Sequence, residues 1–167
     1  GIALGFRRLA IIDLSEHGAQ PMTSHDDRYV IAYNGEVYNF PEMRAELVDR
    51  CHEFNGHSDT EVILAAIVEW GLEAAVGRFV GMFAFALWDQ KKRRLVCARD
   101  RFGIKPLYYW ISPSGSFAFG SEIKQFTVLP GWKAVLNYSR AKDYLETGTT
   151  DHTSETMFQG VSQIIGG

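Results

Sequence analysis

Seven consecutive residues, Met82 to Trp88, are apolar at both alternating sets of positions: Met82, Ala84, Ala86 and Trp88 on one, Phe83, Phe85 and Leu87 on the other. A strand with one wet face alternates apolar with polar, so a strand apolar on both faces must be covered on both, by helices or by a second sheet. The run is too short to span a bilayer, and its cover must therefore be protein. This chain folds in layers.

The neighbouring segments supply the layers. Residues 5–14 (GFRRLAIIDL) and 28–33 (RYVIAY) are β-branched and apolar and read as two strands. His17 to Pro21 reads as the loop between them, and Asn34-Gly35 as the pair that ends the second strand. Asn39, Pro41 and Glu42 mark a helix start, and Met43, Leu47, Cys51 and Phe54 recur at helical spacing, which predicts a helix near 40–53. Ser58-Asp59-Thr60-Glu61 has the form of a capping box, and the helix it opens stops at Gly71. From residue 81 the chain turns to strands: GMFAFALWD, RLVCARD, PLYYWI and SFAFGS, with QKKR and SPSG turns and short helices expected at 121–127 and 139–146. The sum is an α+β chain with antiparallel hairpins and a helical layer.

Composition removes several functions. Seventeen basic against 20 acidic residues in a chain of 167 give a net charge of −3, which offers no basic field for nucleic acid. Hydrophobic residues at 46% and charged residues at 22% are those of a globular domain, neither disordered nor membrane-embedded. The start Gly1-Ile2-Ala3-Leu4-Gly5 has no basic n-region or long apolar h-region. The two cysteines, Cys51 and Cys97, make neither a disulfide framework nor a zinc spacing, which favours a reducing, cytoplasmic compartment. Each sits among apolar neighbours and reads as a buried, inert thiol. The five histidines have no metal-ligand spacing with them, and no metal is assigned.

Three features could carry chemistry. Asn34-Gly35-Glu36-Val37-Tyr38-Asn39 concentrates polar groups where a strand hands over to a helix. A side-chain amide beside a glycine N–H can stabilise an oxyanion, although an Asn-Gly pair more commonly makes a turn. Arg8 lies in an apolar strand, where its guanidinium needs either a structural ion-pair partner or a ligand carboxylate. Asp59, in the first turn of its helix, either caps that helix or holds an ammonium ion. Arg8, Glu36 and Asp59 together would suit a zwitterionic amino acid. The charged run Ala98 to Tyr109 lacks Walker spacing and reads as a strand connection with local salt bridges rather than a phosphate loop.

Taken in order, GFRRLAIIDLS, GAQPM, YNGEVYNF, SDTEVILA, GMFAFALWD, ARDRFGIKPLYY and SEIK resemble the glutaminase domain of glutamine-hydrolysing asparagine synthetases, a match running from about Leu4 to Phe158. The resemblance implies an N-terminal-nucleophile hydrolase fold: an αββα four-layer sandwich of two antiparallel sheets. It implies one class II glutamine amidotransferase domain over residues 1–167. In that family a leading cysteine attacks the glutamine side-chain amide, and ammonia passes to a C-terminal synthetase domain that uses ATP and magnesium.

Residue by residue, the resemblance makes Asn34 and Gly35 the oxyanion hole and Arg8 the partner of the glutamine α-carboxylate. Leu9 and Ile11 line the pocket beside it, and Glu36 and Asp59 surround the α-ammonium. Residue 1 is glycine, so the nucleophilic cysteine and the synthetase domain are expected outside this chain, which should not turn over glutamine by itself. Glutamine and the synthetase domain are the implied partners, with no cofactor in this domain. A truncated sheet edge would favour homo-oligomers. Two other readings stay open, a glutamine- or partner-binding module without chemistry and an amidotransferase of surface-polysaccharide synthesis.

Overall fold

The structure is a computed structural model that describes residues 1–7 and 16–167. Residues 8–15, which include Arg8, Leu9 and Ile11, lie outside the described residues, as does most of the strand expected at 5–14; Gly5 to Arg7 are not in a strand. The chain forms two compact units, Gly1–Ala98 and Arg99–Gly167.

In the first unit a four-stranded sheet has the order β1 (Met22–Thr23), β2 (Tyr29–Val37), β3 (Gly81–Asp89), β4 (Arg94–Arg99). β2 and β3 pair antiparallel without a slip, from Tyr29 opposite Asp89 to Val37 opposite Gly81. Between them in sequence come three helices, α1 (Phe40–Asp49), α2 (Asp59–Trp70) and α3 (Leu72–Arg78). Tyr29, Ile31, Tyr33 and Val37 of β2 and Phe83, Phe85 and Leu87 of β3 share one core with Val62, Ile63, Ala66 and Ile67 of α2. On the alternate positions of β3, Ala84 and Ala86 are only 2% and 1% exposed, so this strand is buried on both faces, as its composition requires.

Several local expectations change. β2 does not end at Asn34-Gly35 but continues to Val37, because Gly35 (φ 154°) keeps its place in the ladder opposite Phe83. Helix α1 stops at Asp49 rather than near 53. Cys51 takes a left-handed conformation (φ 67°) and the His52 N–H returns to the Leu47 carbonyl, closing the helix end. Asn39 does not cap α1 with its side chain; its amide instead donates to the Arg78 carbonyl (3.0 Å) and accepts from the Val80 N–H (2.9 Å). Only half of the capping box at α2 forms. Ser58 Oγ accepts the Glu61 N–H, whereas the Glu61 carboxylate accepts the N–H groups of Asn55 and Gly56. The short helix α3 was not anticipated, since seven residues are too few to show a helical period.

The second unit has a three-stranded antiparallel sheet of order β6 (Phe117–Gly120), β5 (Tyr108–Ile111), β7 (Val161–Gln163). The SPSG segment joins β5 to β6, with the Ser112 N–H donating to the Ser116 carbonyl. The two short helices expected here are a 3-10 helix, Ile123–Val128, and α4, Tyr138–Thr147. Asn137 caps α4 through its side chain, and Gly148 (φ 73°) ends it. Trp110, Phe126 and Val161 form the core of this unit. Strand β7 is too short to be read from sequence. The α+β class with two antiparallel sheets stands.

Candidate functional site

The polar cluster of β2 sits inside a strand, which removes the ordinary-turn reading of Asn34-Gly35. Asn34 and Glu36 alternate with the core residues Tyr33 and Val37 and are half-buried. Asn34 stands opposite Ala84, and Glu36 opposite Met82. The two backbones approach so closely here that a Cβ on Gly35 would lie 2.2 Å from the Met82 carbonyl oxygen, and one on Gly81 would lie 2.1 Å from the Glu36 carbonyl oxygen. Glycine at both positions lets the strands keep register while main-chain groups stay accessible at Gly35.

Asp59 is brought to the same stretch from α2. Asp59 is 5% exposed, and its Oδ2 accepts two hydrogen bonds, from the Tyr33 hydroxyl (2.7 Å) and from the Val37 N–H (3.1 Å). The second donor belongs to the peptide that joins Glu36 to Val37. Asp59 thus reaches the main chain of β2 immediately after Glu36, whose side chain shares the alternate set of positions with Asn34 rather than the Tyr33–Val37 face. Asp59 therefore ties strand to helix rather than acting as a simple helix cap, and Ser58 does the capping.

Tyr33 and Gln20 belong to the same network, and sequence reasoning missed both. Tyr33 is 3% exposed, and its hydroxyl is pushed well above the ordinary tyrosine range, first by burial and then by the charge and hydrogen bond of Asp59. It remains a phenol and therefore a donor. β1 pairs with β2 at Met22–Ile31 and Thr23–Val30, and the next hydrogen-bonding position of that ladder falls at Gln20 opposite Tyr33. The side chain of Gln20 takes over: its Oε1 accepts the Tyr33 N–H at 2.6 Å, and its Nε2 reaches Thr60 Oγ1 at 3.4 Å. The available signal was a polar side chain, Gln20, just before the short strand that pairs with β2.

A cleft of about 390 Å³ opens elsewhere, between Met22 and the outer side of α2 at Leu64, Ala65 and Val68; none of Asn34, Gly35, Glu36 and Asp59 lines it. The charged run beginning at Ala98 is structural, but main-chain hydrogen bonds brace it. Asp100, 1% exposed, accepts the N–H groups of Phe102, Ile104 and Lys105, all at 3.0 Å. The Arg99 guanidinium donates to the carbonyls of Gly103, Lys105 and Ile164 and to Gln163 Oε1.

The cysteines divide. Burial pushes the Cys97 thiol up to about 11, so it is the inert thiol expected. Cys51 is exposed, contrary to expectation, because the helix ends before it and its side chain leaves the apolar face. Among the described residues, no three His, Cys, Asp or Glu side chains are placed to hold a metal, and no helix is long and apolar enough to cross a membrane.

The chain belongs to the glutamine amidotransferase domain family, whose model matches residues 1–167. It is 41% identical to asparagine synthetase [glutamine-hydrolyzing] 3 of Bacillus subtilis over 98% of its length and 46% identical to asparagine synthetase 1 of the same organism over 76%. It spans 26% and 20% of those relatives, about a quarter or less of their length. In three dimensions it is similar to glutamine phosphoribosylpyrophosphate amidotransferase from B. subtilis, with a TM-score of 0.62, 21% identity, and 73% of this chain and 29% of the other covered. The fold is the N-terminal-nucleophile hydrolase fold of the glutamine amidotransferases.

Proposed function

We propose that this chain is the glutaminase domain of an asparagine synthase-type amidotransferase. It would hold glutamine while a nucleophile attacks the side-chain amide carbon, and the released ammonia would amidate an acceptor, aspartate in the simplest case, with ATP and magnesium used by a synthetase domain. The observation that carries this reading is the Asp59 carboxylate anchored on the Val37 N–H, directly after the Asn34-Gly35-Glu36 stretch. The Asp59 carboxylate there and, by the family correspondence, that of Glu36 match the positive charge of an α-ammonium. The Asn34 amide and the Gly35 N–H supply the two donors that a tetrahedral oxyanion needs. Arg8 is assigned the α-carboxylate and Leu9 and Ile11 the adjoining wall, by the correspondence of RRLAI with the family motif.

Neither cysteine of the chain is offered as the nucleophile. The Cys97 thiol is held protonated by burial, and Cys51 lies beyond α1 on the rim of the separate cleft. In the full-length protein, Asn34→Ala should lower glutamine-dependent ammonia release by about 10²–10³-fold while amidation supplied with free ammonia is unchanged. Ammonia release that survives Asn34→Ala and disappears in Cys97→Ala would overturn the reading. Self-association into homo-oligomers completes the proposal, and sedimentation showing a monomer at high concentration would remove that part.

A further inference from the structure

Asp59 presents its two oxygens unequally. Both hydrogen bonds from the described residues go to Oδ2, one from a side chain and one from the main chain of the strand that carries the oxyanion donors. Two donors on one oxygen fix the plane of the carboxylate and its rotation about Cβ, so that Oδ1 is the oxygen free to meet a cation. The Val37 donor is part of the fold and comes with any residue but proline at that position. The Tyr33 donor depends on one hydroxyl. That hydroxyl is buried and permanently protonated, and the Tyr33 main chain is itself anchored by Gln20. The whole side chain is locked between β2 and α2 with one polar contact at its tip, so the tip has no competing use.

We propose that Tyr33 is a positioning residue for glutamine: by holding Asp59 Oδ2 it aims Oδ1 at the α-ammonium group and so sets selectivity for an amino acid over an amide that lacks the amine. The inference rests on the reading that Asp59 faces that ammonium. A chain using Asp59 only as a strap between strand and helix would need Tyr33 for stability and not for selectivity.

The two can be separated by titrating the 167-residue chain calorimetrically with L-glutamine and with glutaramic acid, which keeps the carboxylate and the side-chain amide but has no amine. Asp59→Asn tests the underlying reading and should abolish the preference for glutamine. Tyr33→Phe tests the inference. It should weaken glutamine about tenfold while moving glutaramic acid by less than about twofold, the size expected for one hydrogen bond to a charged group. In the Asp59→Asn background, Tyr33→Phe should no longer change the ratio. Binding of glutaramic acid serves as the fold control within each variant. A Tyr33→Phe chain that loses both ligands alike, or keeps its full preference for glutamine, overturns the assignment of Tyr33 and leaves the reading of Asp59 standing. An Asp59→Asn chain that keeps its preference, or a wild-type chain that binds neither ligand, overturns both.

Discussion

Gly35 of β2 lies so close to Met82 of β3 that a side chain on it would begin 2.2 Å from the Met82 carbonyl oxygen and 2.6 Å from the Phe83 Cα. Both obstacles are backbone, and neither can move without breaking the β2–β3 ladder. The same holds for Gly81 against Glu36 and Val37. The glycines are the condition under which polar residues can occupy the middle of a buried strand pair.

Gly35→Ala and Gly81→Ala should each cost about 3 kcal/mol or more of stability, from forced backbone displacement and, at Gly35, an unfavourable positive φ. Gly77→Ala, in the last turns of α3 with nothing within 4 Å of its added methyl, should be neutral or stabilise by up to about 1 kcal/mol. Denaturant melts of the three variants check this. Equal effects at Gly35 and Gly77 would contradict the close-approach account.

Asp100 holds three loop amides, those of Phe102, Ile104 and Lys105, from a fully buried position. Asp100→Ala should destabilise the second unit by about 3 kcal/mol, because buried acceptors of several N–H groups are expensive to lose. It should also open the loop to trypsin after Arg101. Unchanged proteolysis at that bond would show that Arg99 alone suffices.

The thiols should react in a fixed order. An aromatic disulfide reagent at neutral pH should modify Cys51 quickly and Cys97 only after unfolding, since burial raises the Cys97 thiol to about 11 and leaves almost no thiolate. Prior reaction at Cys97 in the folded chain would contradict the shielding of its thiol.

Acid sensitivity has a named contributor. Arg28 Nη2 donates to Asp89 Oδ2 at 2.9 Å and the Lys92 N–H to Oδ1 at 2.9 Å, and these hold the Asp89 carboxyl below its ordinary value. A carboxyl depressed in the folded state binds protons less readily than in the unfolded chain. Its stabilisation is therefore complete above the ordinary aspartate pKa of about 4 and is lost as pH falls through the depressed value. Thermal melts between pH 6 and 3 should show a shallower decline for Asp89→Asn than for the wild type. Identical slopes would remove Asp89 from the acid response.

The parts legible in the sequence were those carried by short-range pattern. The two-faced burial of Met82–Trp88, the helix opened at Ser58 and the hairpin turns follow from alternation and capping chemistry. The parts that were not legible depend on long-range partners. Asn34-Gly35 looked like a turn because its local chemistry suits one, and only the β3 backbone opposite keeps it extended. Asn39 looked like a cap, yet its amide is claimed by residues 78–80, 39 positions or more away. Of the site, Asn34, Gly35, Glu36 and Asp59 were readable as a charge pattern, sharpened by the family resemblance. Tyr33 and Gln20 were not, because a tyrosine in an apolar strand and a glutamine in a loop show no function until the carboxylate and the amide they meet are placed.

The central claim is that β2 and the start of α2 form a glutamine cradle. Its most direct test is a two-dimensional amide NMR titration of the 167-residue chain with L-glutamine. The account predicts saturable shifts at Gly35, Glu36, Val37 and Asp59 with none across the Ser112–Ser116 turn, and their loss in Asp59→Asn. Shifts confined to residues around the separate cleft, or none at saturating glutamine, would contradict it.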